Sequence, residues 1–540
     1  MRKNDLLTLT ADAVGADMEG VARADGMAVF VPGLLPGETA PVRLVKVHSS
    51  YAFGKVMGPI AAPSPQRRQA DCPAYPRCGG CTCRHMTYEA TLEAKRCQVA
   101  DCFRRIGRLD VEVPPVLGMD DPCGYRNKTS LPVGGMADAP VMGFYAPRSH
   151  TIIPADRCPN AMPLAGDVAQ AFLAWMRAYR IEPYNEENHR GLVRHLMVRV
   201  NRRGEAMAVV VVNGRELPHA QVLAERLAPL GVVSLILSEI RARTNVILGE
   251  TFRTLWGVDT LEDTLCGLTF RVSPASFFQV NPAQTEVLYR TALDFAQLTP
   301  GDLLCDVYCG AGTITLMIAR HARQAVGIEV VPQAIANARE NAARNGITNA
   351  DFHLGAAEDV LPRLVADGLH PDVIVVDPPR KGLDPAVIAA MAQAAPRRIV
   401  YVSCNVATQA RDAAMLCQQG FHLERVQPVD MFCWTSGVET VMSLVQQKPD
   451  DIVKVGIDTD ELAVTKAESK ATYGEIQTRV KEQTGLNVTP LYIAQVKRKH
   501  GIIERECYNK AKSEGAKMLV CPPDKEKAIE EALRFFGMIA

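Results

Sequence analysis

The sequence predicts a multidomain α/β protein in which a doubly wound, Rossmann-like domain follows a small β-barrel, a cysteine-rich segment and a central α/β domain. The chain has 540 residues, which is too long for one core because a domain typically holds roughly 100 to 200 residues. Short polar and apolar runs punctuated by glycine occupy its start, and strands alternate with helices over its later half. Such alternation is typical of a parallel sheet covered by helices on both faces.

Five regions are expected along the chain. Residues 1–62 form the barrel, 63–110 the cysteine-rich segment, 111–270 the central domain, 271–447 the doubly wound domain and 448–540 a mixed helical extension. The first boundary follows from the proline-rich stretch AAPSPQRRQADCP, which breaks the alternation of the barrel.

Composition excludes several classes of protein. No apolar run approaches the roughly 20 residues of a membrane helix, and Asp5 precedes any apolar stretch that could serve as a secretory signal. We therefore expect a cytoplasmic monomer without a membrane partner. The 60 basic and 60 acidic residues cancel, so net charge does not decide whether the protein binds nucleic acid.

A cluster of cysteines opens the second region. Cys72, Cys78 and Cys81 follow the pattern C-x5-C-x2-C, and the glycines between the last two allow the chain to wrap tightly. Because 16 cysteines without a secretory signal make a disulfide framework unlikely, we interpret the cluster as a metal site. Zinc and an iron–sulfur cluster both accept four thiolates. By count, the candidates for a fourth ligand are Cys83, Cys97, Cys102, Cys123 and Cys158.

A glycine-containing loop in the doubly wound domain predicts a cofactor pocket. Between an apolar strand and an amphipathic helix lie Asp306, Tyr308, Gly310 and Gly312. Glu329 ends the next strand, where an acid can bind both ribose hydroxyls. NAD and S-adenosylmethionine both use this arrangement. The loop lacks the three-glycine pattern that seats a pyrophosphate, so a cofactor without phosphate is favoured. Asp377, in DVIVVDPPRKG, is expected to point into the same crevice.

A cysteine and a glutamate are the candidate reacting groups. Cys404 ends a strand and precedes a helix, so its thiol is expected at the carboxyl edge of the sheet, where the helix N-terminus would stabilise a thiolate. A cysteine and a base are the groups that methylation of uracil at carbon 5 requires. That carbon becomes nucleophilic only when a thiolate adds to C6, and a base must then remove the C5 proton. Glu439, flanked by apolar residues, is the candidate base, with a pKa raised by partial burial.

These motifs together resemble the bacterial RNA uracil-5-methyltransferases, specifically the branch that acts on 23S ribosomal RNA. The likeness covers roughly residues 5–447 and rests on motifs that occur in the order of that family. They are CPAYPRCGGC, GYRNK, SFFQVN, DVYCGAG, GIEV, DPPRKG, YVSCN and GVETV.

The resemblance implies an S-adenosylmethionine-dependent enzyme with a TRAM-like barrel and 23S ribosomal RNA as its partner. It places a [4Fe-4S] cluster on Cys72, Cys78, Cys81 and Cys158, and the cofactor contacts on Gln279, Tyr308, Glu329 and Asp377. Cys404 would be the nucleophile and Glu439 the base. The sequence departs from the family at Thr313, Val406 and the stretch CWTSG before Glu439.

Other functions remain open at this stage. The Asp-Pro-Pro motif also resembles enzymes that methylate amino nitrogens, although Arg380 stands where those enzymes place an aromatic residue. The product could be 5-methyluridine in tRNA, or the chain could be a non-catalytic, RNA-binding ribosome assembly factor. In the extension, Thr489 and Pro490 predict the start of a helix whose residues Lys497–Lys499 either contact RNA phosphates or form a solvated face.

Overall fold

The protein was analysed as a computed structural model, which describes residues 1–155, 157–447, 473–500, 521–536 and 538–539. The chain separates into two compact units, Met1–Pro449 and Asp450–Ala540. Within the described ranges, no helix is both long and apolar enough to span a bilayer.

The N-terminal barrel predicted from the alternating pattern is present. Its strands are β1 (Leu6–Val14), β2 (Gly20–Ala24), β3 (Met27–Val31), β4 (Thr39–Val47) and β5 (Tyr51–Val56). They close in the order β1-β2-β3-β5-β4. Every second side chain points inward, so that Val29, Val42 and Ala52 are fully buried while their neighbours face out.

The cysteine-rich segment is irregular until it enters a helix. Helix α1 (Tyr88–Cys102) begins at Thr87, whose side chain accepts a hydrogen bond from the backbone of Ala90, and it runs into a π-helical turn, Phe103–Gly107. Lys95 of α1 is completely buried, which requires a partner elsewhere in the unit.

The central domain contains a seven-stranded sheet in the order β12-β11-β10-β9-β6-β7-β8. Its helices and strands are β6 (Lys128–Gly135), β7 (Pro140–Tyr145), β8 (Ile152–Pro154), α2 (Pro163–Ala178), β9 (Val193–Val200), β10 (Ala206–Val212), α3 (Ala220–Leu227), a 3₁₀ turn (Ala228–Leu230), β11 (Val232–Glu239) and β12 (Phe252–Gly257). Every residue of β9 and β10 is buried, as expected of central strands. A hairpin, β13 (Leu261–Leu265) and β14 (Leu268–Val272), leads to the next domain.

The doubly wound domain also has the predicted architecture. Its elements are α4 (Pro282–Ala296), β15 (Leu303–Val307), α5 (Thr313–Ala319), β16 (Gln324–Glu329), α6 (Pro332–Arg344), β17 (Ala350–Leu354), α7 (Ala357–Ala366), β18 (Val373–Val376), α8 (Pro385–Ala394), β19 (Arg398–Ser403), α9 (Val406–Gln418), β20 (Phe421–Val429) and β21 (Glu439–Gln446). The sheet order is β17-β16-β15-β18-β19-β21-β20, and β21 runs antiparallel to both of its neighbours. The strand order reverses between β15 and β18, which is where an open α/β sheet forms its binding crevice.

The second unit is described in part. Its helices are α10 (Tyr473–Thr484), α11 (Pro490–Lys499) and α12 (Pro523–Phe535). Thr489 accepts a hydrogen bond from the backbone of Tyr492 and so caps α11, as predicted. The basic run at the end of α11 is not a uniform charged face, because Lys497 is 2% exposed and Lys499 pairs with Glu526. Much of the extension, including 448–472 and 501–520, lies outside the described residues.

Candidate active site

A cavity of about 600 Å³ opens at the carboxyl ends of β15, β16 and β18. Its lining includes Gln279, Tyr308, Gly310, Glu329 and Asp377, so the structure brings five of the six predicted cofactor residues together. A cavity of this size accommodates a ligand as large as a nucleoside with an amino-acid side arm.

The turn between β15 and α5 shapes the floor of this cavity. Tyr308, Gly310 and Gly312 have φ values of 74°, 56° and 80°, in the left-handed region that favours glycine. Gly312, the sixth predicted residue, does not line the cavity but caps α5. A Cβ atom at Gly312 would lie 3.2 Å from the Cβ of Ala338, so packing against α6 favours glycine there.

Glu329 is held in place at the end of β16. Its Oε2 accepts a hydrogen bond from the backbone of Gly310 at 3.1 Å, and its Oε1 accepts one from Val331 at 2.9 Å. Each carboxylate oxygen keeps a free lone pair. The side chain is therefore oriented to receive two further donors, such as a pair of ribose hydroxyls.

Two carboxyl groups, those of Asp306 and Asp377, meet in the cavity wall. Asp306 is fully buried and accepts a hydrogen bond from Thr315 at 2.5 Å, while its second oxygen has no partner. Burial raises the pKa of Asp306 to about 7, with a contribution from the charge of Glu329. Burial and the charge of Asp306 likewise raise the pKa of Asp377 to about 7. The sequence pattern placed Asp306 at the start of the cofactor loop but gave it no role of its own; the signal for one was an aspartate within an apolar strand.

Cys404 lies exposed directly after β19. Although the residue is exposed overall, the partial burial of its sulfur and the charge of Glu439 raise the pKa of the thiol, whereas Arg380 lowers it. The pKa of the thiol is therefore raised overall, whereas the sequence led us to expect that the helix N-terminus would stabilise the thiolate. The side chain of Asn405 accepts hydrogen bonds from the backbones of Ala407 and Thr408 at the start of α9, so these two donors are not free for a thiolate.

Glu439 begins β21 and is 4% exposed, more buried than the sequence suggested. Thr440 pairs with Ser403 across the antiparallel strands, which places Glu439 beside Cys404. Burial and the charge of Asp377 raise the pKa of Glu439 well above its usual value, and Arg380 opposes the shift. These shifts show that one electrostatic cluster is formed by the thiol of Cys404, the carboxyl groups of Asp377 and Glu439, and the guanidinium group of Arg380. Arg380 is the positively charged member of this cluster. Its sequence position had indicated only that it replaces the aromatic residue of enzymes that methylate amino nitrogens.

The segment that approaches Glu439 is anchored to the cysteine-rich region. Asp430 forms an ion pair with Lys95 at 2.5 Å, with both side chains fully buried, and accepts a hydrogen bond from Tyr88 at 2.7 Å. The carbonyl of Trp434 accepts hydrogen bonds from the backbones of Thr82 and Cys83 at 3.0 and 3.3 Å. The unusual sequence CWTSG before the glutamate, which contains Trp434, is therefore in direct contact with the cysteine-rich region. No single sequence motif predicts this contact.

The four cysteines assigned to the cluster, Cys72, Cys78, Cys81 and Cys158, line a second cavity of about 350 Å³. No other candidate for the fourth ligand lines it. The backbone of Gly80 donates to the sulfur of Cys78 at 3.3 Å, and Asn160 donates to that of Cys81 at 3.4 Å. Burial raises the pKa of Cys81 to about 11. Within the part of the chain that the structure describes, no group of three or more His, Cys, Asp or Glu side chains is arranged to hold a metal ion.

Comparisons with known proteins agree with this geometry. Residues 258–447 match the model of the tRNA (uracil-5-)-methyltransferase family, and residues 7–57 match that of the TRAM domain. An uncharacterized RNA methyltransferase from Halalkalibacterium halodurans is 44% identical over 82% of this chain and 98% of its own length. One from Listeria innocua is 41% identical over 82% and 98%.

A solved structure is similar over most of the chain. It is the tRNA (uracil-54, C5)-methyltransferase of Pyrococcus abyssi in complex with S-adenosyl-L-homocysteine, with a TM-score of 0.67 and 27% identity over 81% of this chain and 99% of that one. The alternative of a non-catalytic assembly factor is not supported, because the relatives are named as methyltransferases. The chain is an enzyme that belongs to the tRNA (uracil-5-)-methyltransferase family of RNA methyltransferases and carries a TRAM domain at its N-terminus.

Proposed function

We propose that the protein transfers a methyl group from S-adenosylmethionine to C5 of a uridine in RNA, through a covalent bond between Cys404 and C6 of the base. The observation that carries this proposal is the placement of Cys404 beside the buried Glu439, at the edge of a carboxylate-lined cavity. Enzymes that methylate amino nitrogens need neither group, so this pairing favours carbon methylation.

The charge of the cavity supports the choice of cofactor. Asp306, Glu329 and Asp377 all line it, and three carboxyl groups suit a ligand with positive charge. S-adenosylmethionine carries a sulfonium and an ammonium group and, when bound, supplies the methyl group. Glu329 is oriented for ribose hydroxyls, and the P. abyssi enzyme of similar structure holds the demethylated product of this cofactor.

The reacting residues act in sequence. Cys404, as a thiolate, adds to C6 of uracil and pushes an electron pair toward O4, which makes C5 nucleophilic. After C5 has gained its methyl group, Glu439 removes the C5 proton, the C5–C6 double bond re-forms and the Cys404 sulfur leaves. Arg380 lowers the pKa of both Cys404 and Glu439, so it stabilises the anionic form that each step requires.

The four cysteines of the second cavity fit a [4Fe-4S] cluster. Four thiols line one cavity, and hydrogen bonds from Gly80 and Asn160 to two of the sulfurs would stabilise thiolates. Arg84, Arg126 and Lys128 line the same cavity and would offset the negative charge of a cluster.

The proposed substrate is 23S ribosomal RNA, with uridine in tRNA as the second candidate. The first follows from the motifs that resemble the ribosomal branch. The second follows from the P. abyssi tRNA enzyme, which is similar over 81% of this chain, so that overall architecture does not separate the two substrates. Mapping 5-methyluridine in ribosomal and transfer RNA from cells with and without the gene distinguishes them.

Trapping the covalent intermediate tests the mechanism. Glu439→Gln should methylate once and then stall, leaving a protein–RNA adduct that survives denaturing electrophoresis, because the C5 proton stays in place. RNA containing 5-fluorouridine should trap the unmodified enzyme in the same way. Cys404→Ala should form neither adduct nor product, whereas Cys417→Ala, a half-buried cysteine on α9, should behave as the unmodified enzyme. Methylation that persists in Cys404→Ala would overturn the proposal and favour methylation of an amino nitrogen.

A further inference from the structure

Trp434 precedes Glu439 by five residues and is buried, with 1% of the residue exposed. Two guanidinium groups, those of Arg68 and Arg84 in the cysteine-rich segment, lie 5.1 and 5.2 Å from the centre of its indole ring. The indole nitrogen donates a hydrogen bond to the carbonyl of Pro122 at 2.9 Å. The ring is therefore held both through its π system and at its polar edge.

The backbone at Trp434 is strained. Its φ of 65° lies in the left-handed region, which bulky side chains rarely adopt. A residue keeps such a conformation only where its surroundings over-determine it, and strain of this kind clusters at active sites. Here the backbones of Thr82 and Cys83 hold the carbonyl of Trp434. Contacts with the cysteine-rich segment, and not local preference, therefore fix this residue.

A tight turn connects Trp434 to Glu439. The hydroxyl of Thr435 donates a hydrogen bond to the carbonyl of Phe432 at 2.8 Å and accepts one from the backbone of Gly437 at 3.2 Å. A short, hydrogen-bonded and packed connection transmits a displacement, because it has no void into which it can relax. A shift of the indole ring is therefore expected to move the carboxyl group of Glu439 relative to the reacting sulfur.

We propose that Trp434 is a positioning residue that ties the catalytic base to the cysteine-rich segment. The proposal rests on the proposed function, in which Glu439 acts only after methyl transfer. Its carboxylate then takes the C5 proton, the electrons of the C5–H bond form the C5–C6 double bond, and the C6–S bond breaks with its electrons on the Cys404 sulfur. Trp434 does not line the cofactor cavity, so it acts through the position of Glu439.

This role predicts a defect in one step of the reaction. Trp434→Leu should slow release of the protein–RNA adduct by about 100-fold, because a misplacement on the order of 1 Å costs about that much in a positioned reaction. Formation of the adduct should be unchanged, since attack by the Cys404 thiolate does not use Glu439. The adduct should therefore accumulate on RNA with ordinary uridine, as in Glu439→Gln, although product still forms slowly.

Single-turnover kinetics separate formation from release. Full-length enzyme and S-adenosylmethionine are mixed with 23S ribosomal RNA transcribed in vitro, or with tRNA if mapping places the target there, and the adduct is followed by denaturing electrophoresis. The same RNA made with 5-fluorouridine reports formation alone, because that adduct cannot be released. Trp434→Leu should trap this RNA at the rate of the unmodified enzyme.

The matched control is Trp175→Leu in the central domain. Trp175 is also buried, packs against Phe172, and donates its indole hydrogen bond to a backbone carbonyl, that of His219. The control removes an equally large ring from a core that does not contact Glu439. At a temperature where melting curves show both variants folded, it should change neither formation nor release.

A second variant tests the tie to the cysteine-rich segment without changing Trp434. Arg68→Met removes one guanidinium group from the ring, and Arg68 does not line the cavity of the four cysteines, so the iron content should stay the same. A cation–π contact corresponds to a factor of about two to 30, and release should slow within that range. In the Trp434→Leu background Arg68→Met should have no further effect, because the contact is already lost.

Normal release by a folded Trp434→Leu enzyme would overturn the proposal. An equal loss of formation and release would also do so, since it marks general damage to the site, as would an effect of Arg68→Met that is absent or additive. If Trp434→Leu does not fold, Arg68→Met and Trp434→Phe decide. Trp434→Phe keeps a ring but loses the hydrogen bond to Pro122, and it should slow release by about two- to tenfold. Failure of the proposed function is distinguishable, because the unmodified enzyme would then form no adduct even with 5-fluorouridine RNA.

Discussion

Asp306 and Asp377 present two carboxyl groups with pKa values of about 7 to the cofactor cavity, and this should make binding of S-adenosylmethionine depend steeply on pH. The shifts arise because burial and the neighbouring negative charges disfavour ionisation. A positively charged ligand reverses that balance, since it stabilises the carboxylate forms. Binding should therefore release protons near neutral pH.

The expected magnitude follows from the ionised fractions. A carboxyl group of pKa about 7 is roughly 90% ionised at pH 8 and roughly 9% ionised at pH 6, a tenfold change. If binding requires one of the two groups to be ionised, the dissociation constant should rise about tenfold from pH 8 to pH 6, and about 100-fold if it requires both. S-adenosylhomocysteine, which lacks the S-methyl group and therefore the sulfonium charge, should show a shallower dependence.

The sign also holds for stability. A carboxyl group whose pKa is raised in the folded state binds more protons there than in the unfolded chain, so the free energy of unfolding falls as pH rises from about 4 to about 7. Saturating S-adenosylmethionine should cancel this loss, and the thermal shift it causes should grow from pH 6 to pH 8.

Calorimetric titration of the cofactor in two buffers of different ionisation enthalpy counts the released protons directly. Asp377→Asn should remove part of the release and flatten the pH dependence. The reasoning fails if affinity is equal at pH 6 and pH 8 and no proton is released. It would also fail if S-adenosylhomocysteine showed the steeper dependence.

Three further predictions concern a buried ion pair, the cysteine cluster and the C-terminal extension. Lys95→Met leaves Asp430 as an unpaired buried charge and should lower the free energy of unfolding, measured by denaturant titration, by about 3–5 kcal/mol. Adding Asp430→Leu should restore most of that free energy. An effect below about 1 kcal/mol would contradict the observed burial of the pair. Protein purified without oxygen should be brown and contain iron and sulfide. A variant with serine in place of any one of Cys72, Cys78, Cys81 and Cys158 should lose the iron. Stoichiometric zinc in place of iron would refute the cluster but leave the methyltransferase proposal intact. A chain ending at residue 449 should still form 5-methyluridine in a radiolabel assay, because every proposed reacting group precedes that point; complete loss of activity in a folded truncation would place part of the site in the extension.

The sequence by itself determined which residues could react and roughly where they stand in the sheet. Residues that directly follow parallel strands lie at the carboxyl edge of the sheet, so their position can be predicted from where each strand ends. This holds for the glycine turn after β15, Asp377 after β18 and Cys404 after β19. The alternation of the first 60 residues likewise predicted the barrel, since a period of two follows from strand geometry alone.

Only the tertiary structure decided the electrostatics and the long-range contacts. The helix N-terminus near Cys404 led us to expect a stabilised thiolate, but the pKa of the thiol is raised by burial and by the charge of Glu439, which lies on a strand distant in sequence. Lys95 and Asp430 are separated by 335 residues, and nothing local to either one names the other. The burial of a side chain and its interaction with other charges depend on which distant parts of the chain come into contact. A pattern confined to one segment of the sequence carries no information about those contacts.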